Sequence, residues 1–184
     1  MQKTDDTYID IIGRCREGER SAQMSFYALF HRGVYNSSLR IVGNSAEAEE
    51  VMQETLLKAL MCNELLIDNR QAMEAMLRRI AINRSIDVCR KRRVRFAEID
   101  HSAGEWDEEQ GGAEDEAPGG LSAEKIFATM ELLPKGSRII LTLKLIEGYQ
   151  YCEIAKELGI AESAVRSQFS RGRKRLVELL KSER

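Results

Sequence analysis

Residues 149–176 read YQYCEIAKELGIAESAVRSQFSRGRKRL, and their pattern predicts two short helices joined by a turn. Apolar residues recur every three or four positions, which is typical of helices with one buried face. They are Ile154, Ala155 and Leu158 in the first helix and Val165, Phe169, Gly172 and Leu176 in the second. Gly159 lies between them and predicts the turn, because glycine adopts left-handed backbone geometry at little steric cost. The stretch therefore predicts a helix–turn–helix.

The polar side of the second helix carries hydroxyl and basic groups. Its members are Ser163, Arg166, Ser167, Ser170, Arg171, Arg173 and Lys174. Groups of this kind bond base edges and phosphate oxygens when a helix lies in the major groove. The alternative is a structural helical hairpin whose basic face is simply solvated.

This stretch resembles the promoter-binding helix–turn–helix of bacterial RNA polymerase sigma factors, and most closely that of the small extracytoplasmic-function (ECF) group. The matching residues are Tyr151, Glu153-Ile154-Ala155, Leu158-Gly159-Ile160, Val165, Ser167, Ser170-Arg171 and Arg173. Response regulators carry a similar DNA-binding module. Other segments of the chain are therefore needed to distinguish a sigma factor from a response regulator. The resemblance implies a subunit that binds core RNA polymerase and directs transcription initiation at specific promoters.

A second segment supports the resemblance. Residues 46–60 read AEAEEVMQETLLKAL, and their apolar residues form an unbroken stripe at helical spacing. The segment is similar to the part of sigma factors that docks on the largest polymerase subunit, which implies that Glu50, Gln53 and Glu54 contact the polymerase. The alternative is a solvated charged face.

The next predicted helix, residues 73–93, becomes increasingly basic toward its end, and residues 78–95 hold eight arginines and lysines against one acid. It resembles the sigma segment that binds the downstream promoter element, and phosphate contact explains the charge better than solubility alone. No aromatic residue occurs from position 36 to 95, so stacking on aromatics is not available for melted DNA there. The family instead captures a flipped base in the preceding loop, with Asp68 among the polar candidates. The predicted DNA contacts are Asn63, Asn69, Arg70, Arg79, Asn83, Arg84, Arg90, Lys91, Arg92 and Arg93.

Residues 97–120 hold nine carboxylates, five glycines and no lysine or arginine. Such a composition cannot bury a core and predicts a flexible linker. The chain is thus expected to be all-α, with two small helical domains at 1–96 and 121–184, the second containing the helix–turn–helix. The linker is either an inert tether or, as the family implies, a negatively charged segment that threads the polymerase.

Local signals predict the individual helices. Ile9, Ile12 and Gly13 are expected on the buried side of a first helix, and Asn44 with Glu47 predicts a capping box at the third. In the second domain, Ser122 is a predicted N-cap, and apolar residues from Ile139 to Ile146 predict one helix. Gln150 and Ala161 stand where the family usually has Ser or Thr caps, and each missing cap is expected to cost about 0.5–2 kcal/mol.

Other classes of function are disfavoured. The four cysteines and two histidines are scattered, so they predict neither a metal site nor a catalytic triad, and no cofactor is expected. The N-terminus lacks the apolar core of a signal peptide, and no apolar run is long enough to span a membrane. A cytoplasmic, non-enzymatic protein is expected. Its implied partners are core RNA polymerase, double-stranded and locally melted promoter DNA, and an anti-sigma factor.

Overall fold

All regular elements in the described residues are helices, and no strand occurs in this part of the chain. The structure, a computed structural model, describes residues 2–62, 66–92 and 122–182, and for residues 2–6 the backbone alone. The chain divides into two compact units, residues 1–93 and 94–184. The predicted all-α class is confirmed. The predicted linker, 97–120, lies outside the described residues, so its exact limits stay a prediction.

The first unit is organised around its second helix. Its described helices are α1 (Gln2–Arg16), α2 (Arg20–Val42), α3 (Ser45–Met61) and α4 (Arg70–Lys91). The other three all pack on α2. Phe26 and Phe30 of α2 lie in the core with their ring centroids 4.9 Å apart. Leu56, Met73 and Leu77 bring α3 and α4 into the same cluster. Burial of such large apolar side chains is the main source of the unit's stability.

The first helix uses a different buried face from the one predicted. Ile9 was expected to point inward but is 49% exposed, whereas Tyr8 is buried. Tyr8, Ile12 and Cys15 follow the i, i+4, i+7 spacing of one helical face, and Ile9 lies about 100° away from Tyr8. The predicted burial of Ile12 is therefore confirmed, whereas the prediction for Ile9 was wrong.

Side-chain caps begin the third and fourth helices. The Asn44 side chain accepts a hydrogen bond of 3.1 Å from the Glu47 N–H, as predicted. The Glu47 carboxylate forms an ion pair with Arg92 at the far end of α4. Asn69 caps α4 by accepting a hydrogen bond of 2.9 Å from the Ala72 N–H.

The second unit places the helix–turn–helix against two shorter helices. Its described elements are α5 (Ala123–Glu131), α6 (Lys135–Leu141), a π-helical turn (Thr142–Ile146), α7 (Tyr151–Leu158) and α8 (Glu162–Ser182). The Ser122 side chain caps α5, as predicted. The single helix predicted through Ile146 instead ends in the π-turn, where the Glu147 N–H bonds the Thr142 carbonyl at 3.1 Å. Apolar periodicity cannot distinguish one wider turn from a regular helix.

Gly172 allows α8 to approach α6 closely. A Cβ at this position would lie 3.0 Å from Ser137 Cβ and 3.3 Å from Leu141 Cδ1. Gly172→Val is therefore expected to lower the free energy of unfolding of the second unit by about 1–3 kcal/mol, because the neighbours must shift. Urea unfolding followed by circular dichroism measures this. Gly13→Ala is the control, since its Cβ would meet nothing within 4 Å, and it should stabilise α1 by about 0.5–1 kcal/mol. A Gly172→Val variant as stable as the original protein would contradict the close approach.

Candidate nucleic-acid and polymerase interface

The turn between α7 and α8 has the geometry that the sequence predicts. Gly159 has φ 68° and ψ 34°, and its N–H bonds the Ala155 carbonyl at the end of α7. Ile154 and Leu158 of α7 and Val165 of α8 are buried. The two helices therefore pack through their apolar faces, as expected for a helix–turn–helix.

The outward side of α8 carries the predicted DNA-contacting residues. Ser163, Arg166, Ser167, Ser170 and Lys174 are exposed, whereas Arg171 and Arg173 are partly exposed. On the opposite side Gly172 and Leu176 are buried. A single helix thus separates an apolar docking side from a side of hydroxyls and cations.

Arg166 is held in place by residues of both helices. Its Nε and Nη2 donate to Glu162 Oε1 at 3.0 and 2.5 Å. The guanidinium carbon lies 4.5 Å from the centre of the Tyr151 ring, and Lys144 Nζ lies 4.7 Å from the same ring. Both distances are within the range of cation–π attraction. Phe169 packs edge-on against Tyr151 at 5.6 Å.

Sequence reasoning missed the role of Tyr151 in this cluster. The Glu162–Arg166 pair was readable from its i, i+4 spacing. The contact between Tyr151 and Arg166 crosses the turn, so it depends on how the two helices pack.

Gln150 precedes α7 and was expected to lack a side-chain cap, but Glu153 partly takes over that role. Glu153 Oε2 accepts a hydrogen bond of 2.8 Å from the Gln150 N–H, which is the reciprocal half of a capping box. At the start of α8, Ala161 has no side-chain acceptor, and its carbonyl accepts the Val165 N–H at 3.2 Å. The expected loss of a cap therefore stands at Ala161, whereas at Gln150 it is reduced.

In the first unit, the three predicted polymerase contacts share an exposed side of α3. Glu50, Gln53 and Glu54 are all exposed. Gln53 Nε2 donates to Glu49 Oε1 at 3.1 Å, and Glu54 forms an ion pair with Arg84 of α4. Glu54 therefore links α3 to α4, which is a role that the sequence did not reveal.

Two large apolar side chains extend the same side of α3. Leu57 is 58% exposed and Met61 is 79% exposed. At 100° per residue, both fall within about 20° of the direction of Glu50. Neither residue belongs to the buried apolar stripe of α3. Together with Glu50, Gln53 and Glu54 they form a face, here called the α3 face, that is acidic at one end and apolar at the other.

The basic residues of α4 differ in their surroundings. Arg79, Arg90, Lys91 and Arg92 are exposed, and Asn83 and Arg84 are partly exposed. Three of the cations pair with carboxylates: Arg84 with Glu54, Arg90 with Asp87 at 3.2 Å, and Arg92 with Glu47. In these three residues the guanidinium group is already paired, and the phosphate contacts of the basic residues stay a prediction.

The segment before α4 is held by side chains from elsewhere in the unit. Asn69, a predicted base contact, uses its side-chain oxygen to cap α4. Asp68 pairs with Arg16 of α1 at 2.9 Å. Arg70 is the first residue of α4 and is partly exposed. Asn63 and Arg93, also predicted DNA contacts, lie outside the described residues.

A metal centre and a membrane-spanning helix are both absent from the described ranges. Within residues 7–62, 66–92 and 122–182, His, Cys, Asp and Glu form no group of three that would hold a metal ion. No helix of the described ranges is both long and apolar enough to cross a bilayer. Cys15 and Cys89 are buried, whereas Cys152 is exposed on α7.

Two family models match the chain, one in each unit. The model for Sigma-70 region 2 matches residues 26–95, which include most of α2 and all of α3 and α4. The model for Sigma-70, region 4 matches residues 123–176, which run from α5 into α8. The acidic linker separates the two matches.

Individual relatives are similar over most of the chain. The ECF RNA polymerase sigma factor SigL of Mycobacterium tuberculosis is 30% identical over 135 residues, covering 73% of this chain and 75% of the relative. SigW of Bacillus subtilis, another ECF sigma factor, is 27% identical over 183 residues, covering 92% and 95%. A solved structure of the sigma factor RpoE with the anti-sigma factor NepR from Bartonella quintana has a TM-score of 0.50 and 25% identity, covering 86% of this chain and 96% of RpoE.

Proposed function

We propose, on the premise that this chain belongs to the ECF family of RNA polymerase sigma factors, that its two helical units divide promoter recognition between them. As a sigma factor, the protein binds core RNA polymerase and promoter DNA and directs promoter-specific initiation of transcription. We assign the contacts with polymerase and with promoter DNA to particular residues. The observation that carries it is α8, whose apolar side is buried while its hydroxyls and guanidinium groups face outward.

The second unit reads the upstream promoter element through α8. Arg166 is the base-reading residue, because a guanidinium group can bond two acceptors on one guanine. The Tyr151 ring beneath the guanidinium group supports this role, since a side chain already ordered loses less entropy on binding. The pair with Glu162 has to be exchanged for the guanine, as for the paired arginines of α4. Ser163, Ser167, Ser170, Arg171, Arg173 and Lys174 complete the contact surface, mainly toward phosphates.

The first unit binds the downstream element and the DNA that melts there. Asn69 before α4 and Arg70 at the start of α4 contact a base, and Arg79, Asn83, Arg84 and the basic end of α4 complete the contact surface. Arg79 and Lys91 are the exposed cations best suited to immediate phosphate contact. Arg84, Arg90 and Arg92 contribute once their carboxylate partners are displaced. Asn63 and Arg93 belong to the same proposed surface.

The α3 face docks on core RNA polymerase. Glu50, Gln53 and Glu54 provide its polar part, and the exposed Leu57 and Met61 provide an apolar part. Interfaces of this kind combine an apolar centre with a polar rim. Exposed apolar side chains beside the acidic residues therefore favour docking over a merely solvated helix.

Residues 97–120, which hold nine carboxylates, join the two units in the sequence, either as an inert tether or as a negatively charged segment that threads the polymerase. A segment of that charge repels DNA and thus leaves it to the two basic surfaces. The protein acts in the cytoplasm, with no catalytic residues, metal or cofactor of its own. An anti-sigma factor is a further proposed partner, as NepR is for RpoE of Bartonella quintana.

Run-off transcription tests the function as a whole. Purified protein is added to core RNA polymerase with a library of genomic promoter fragments, and the transcripts are sequenced. We expect transcripts from a small set of promoters that share two elements. A protein that binds DNA fragments but neither joins core polymerase nor starts transcripts would instead be a regulator with a related helix–turn–helix.

A further inference from the structure

We propose that Tyr8 and Arg16 of α1 are positioning residues that fix the segment in front of α4 and thereby set base preference at the downstream promoter element. This segment, residues 66–69, is here called the pre-α4 loop. The inference rests on the proposed function, in which Asn69 and Arg70 at the end of this loop contact a base. It assigns to α1 a part in promoter selectivity, although α1 precedes the residues that match the Sigma-70 region 2 model.

Three contacts join α1 to three consecutive residues of the pre-α4 loop. The Tyr8 hydroxyl donates to the Ile67 carbonyl at 2.6 Å. Arg16 Nη2 donates to the Leu66 carbonyl at 2.6 Å, and its Nη1 pairs with Asp68 Oδ1 at 2.9 Å. Two of these contacts fix backbone carbonyls, so they constrain the path of the chain itself.

The α1 side of these contacts is rigid. Tyr8 is 2% exposed, and its ring packs edge-on against Phe30 in the core at 6.2 Å. Burial raises the pKa of Tyr8 to about 12, with Asp68 adding to the effect, so the hydroxyl keeps its proton at physiological pH. Leu66 is 3% exposed and belongs to the same core. The loop is therefore held both by its backbone and by a buried side chain.

The other end of the pre-α4 loop is fixed by α4. Asn69 accepts the Ala72 N–H, which sets the direction in which the loop enters the helix. Arg70, the first residue of α4, follows directly. A group that reads a base must be held within about 0.5 Å of its working position. The contacts from α1 and the Asn69 cap provide such support for Arg70.

The test measures base preference with holoenzyme that contains the full chain. Tyr8→Phe removes the hydroxyl but keeps the ring in the core, and Arg16→Gln removes the guanidinium group. Run-off transcription is measured on promoters substituted singly at each downstream and upstream position. The ratio of interest is transcription from the promoter with the best downstream base divided by transcription from that with the second-best base. We expect each variant to lower this ratio by about 2- to 10-fold, the equivalent of one lost hydrogen bond. Preference at the upstream element and affinity for core polymerase should not change.

Arg14→Gln is the matched control. Arg14 also lies on α1, but it binds Glu19 at 2.5 and 2.6 Å and Asp10 at 3.3 Å, away from the loop. This variant disturbs the corner between α1 and α2 and should leave the downstream ratio as it was. An equal loss of preference in Arg14→Gln would mean that general weakening of α1 is responsible, and would overturn the inference.

A loop variant separates this inference from the proposed function. If Arg70→Ala narrows the downstream ratio while Tyr8→Phe and Arg16→Gln keep it unchanged, Arg70 reads a base but α1 does not position it. If Arg70→Ala also keeps the ratio, Arg70 does not read a base and both ideas fail. Should Tyr8→Phe not fold, Arg16→Gln alone decides, because Arg16 is exposed and its replacement opens no core cavity.

Discussion

The Glu50→Arg/Glu54→Arg double variant is expected to lose binding to core RNA polymerase by a factor on the order of 100 or more, because like charges brought together across an interface cost several kcal/mol. Both side chains are exposed on the α3 face, so no core residue changes. Binding to core polymerase is measured by titration with labelled protein. Circular dichroism should show unchanged helicity.

The ion pair between Glu54 and Arg84 requires a second variant. Glu54→Arg leaves two arginines facing each other, and this repulsion by itself could disturb the packing of α3 on α4. Glu54→Arg/Arg84→Glu restores an ion pair in the reverse orientation while the α3 face stays altered. We expect this swapped variant to bind core polymerase weakly as well. Recovery of normal affinity would show that Glu54 matters only for joining the two helices.

Arg166→Ala and Lys174→Ala are expected to fail in different ways. Loss of a bidentate contact to a guanine removes about 1–3 kcal/mol of discrimination, so Arg166→Ala should weaken binding most at the preferred upstream sequence. Lys174→Ala should weaken all sequences about equally and reduce the salt dependence by roughly one unit of slope. Holoenzyme binding is titrated against single substitutions of the upstream element at several salt concentrations.

Tyr151 provides an intermediate case for the same titration. Tyr151→Leu keeps Arg166 but removes the ring beneath its guanidinium group. Base preference should fall at the same positions of the upstream element as in Arg166→Ala, but by a smaller factor. Uniform weakening by Arg166→Ala, together with altered base preference in Lys174→Ala, would mean that α8 lies differently in the groove.

The parts of the fold that follow from short-range patterns were predictable from the sequence. The spacing of Ile154, Leu158 and Val165 around Gly159 was enough for the helix–turn–helix, and Asn44 and Ser122 marked two helix starts correctly. On α1 the burial of Ile12 was predicted correctly and that of Ile9 was not, because a helix with few apolar residues fits adjacent faces almost equally well.

What the sequence could not reveal are contacts between residues far apart in the chain. Glu54 and Arg84 are 30 residues apart, and nothing in either local pattern marks them as partners. The same holds for Tyr151 and Arg166, which meet because α7 and α8 pack at a particular angle. Candidate site residues could thus be chosen from their chemistry alone. Their interaction partners, which decide which cations are available for phosphate, could be identified only from the fold.

The hydrogen bond from Tyr8 to Ile67 has a consequence for how the protein is made. It joins residues 59 positions apart, and the Arg16 contact to Leu66 spans 50 positions. Because the N-terminal residues leave the ribosome first, α1 must wait for most of its unit to be synthesised. At about 5–20 residues per second, that delay lasts roughly 3–12 seconds. The contacts between α1 and the pre-α4 loop therefore form late in the synthesis of the first unit, even though α1 can pack on α2 earlier.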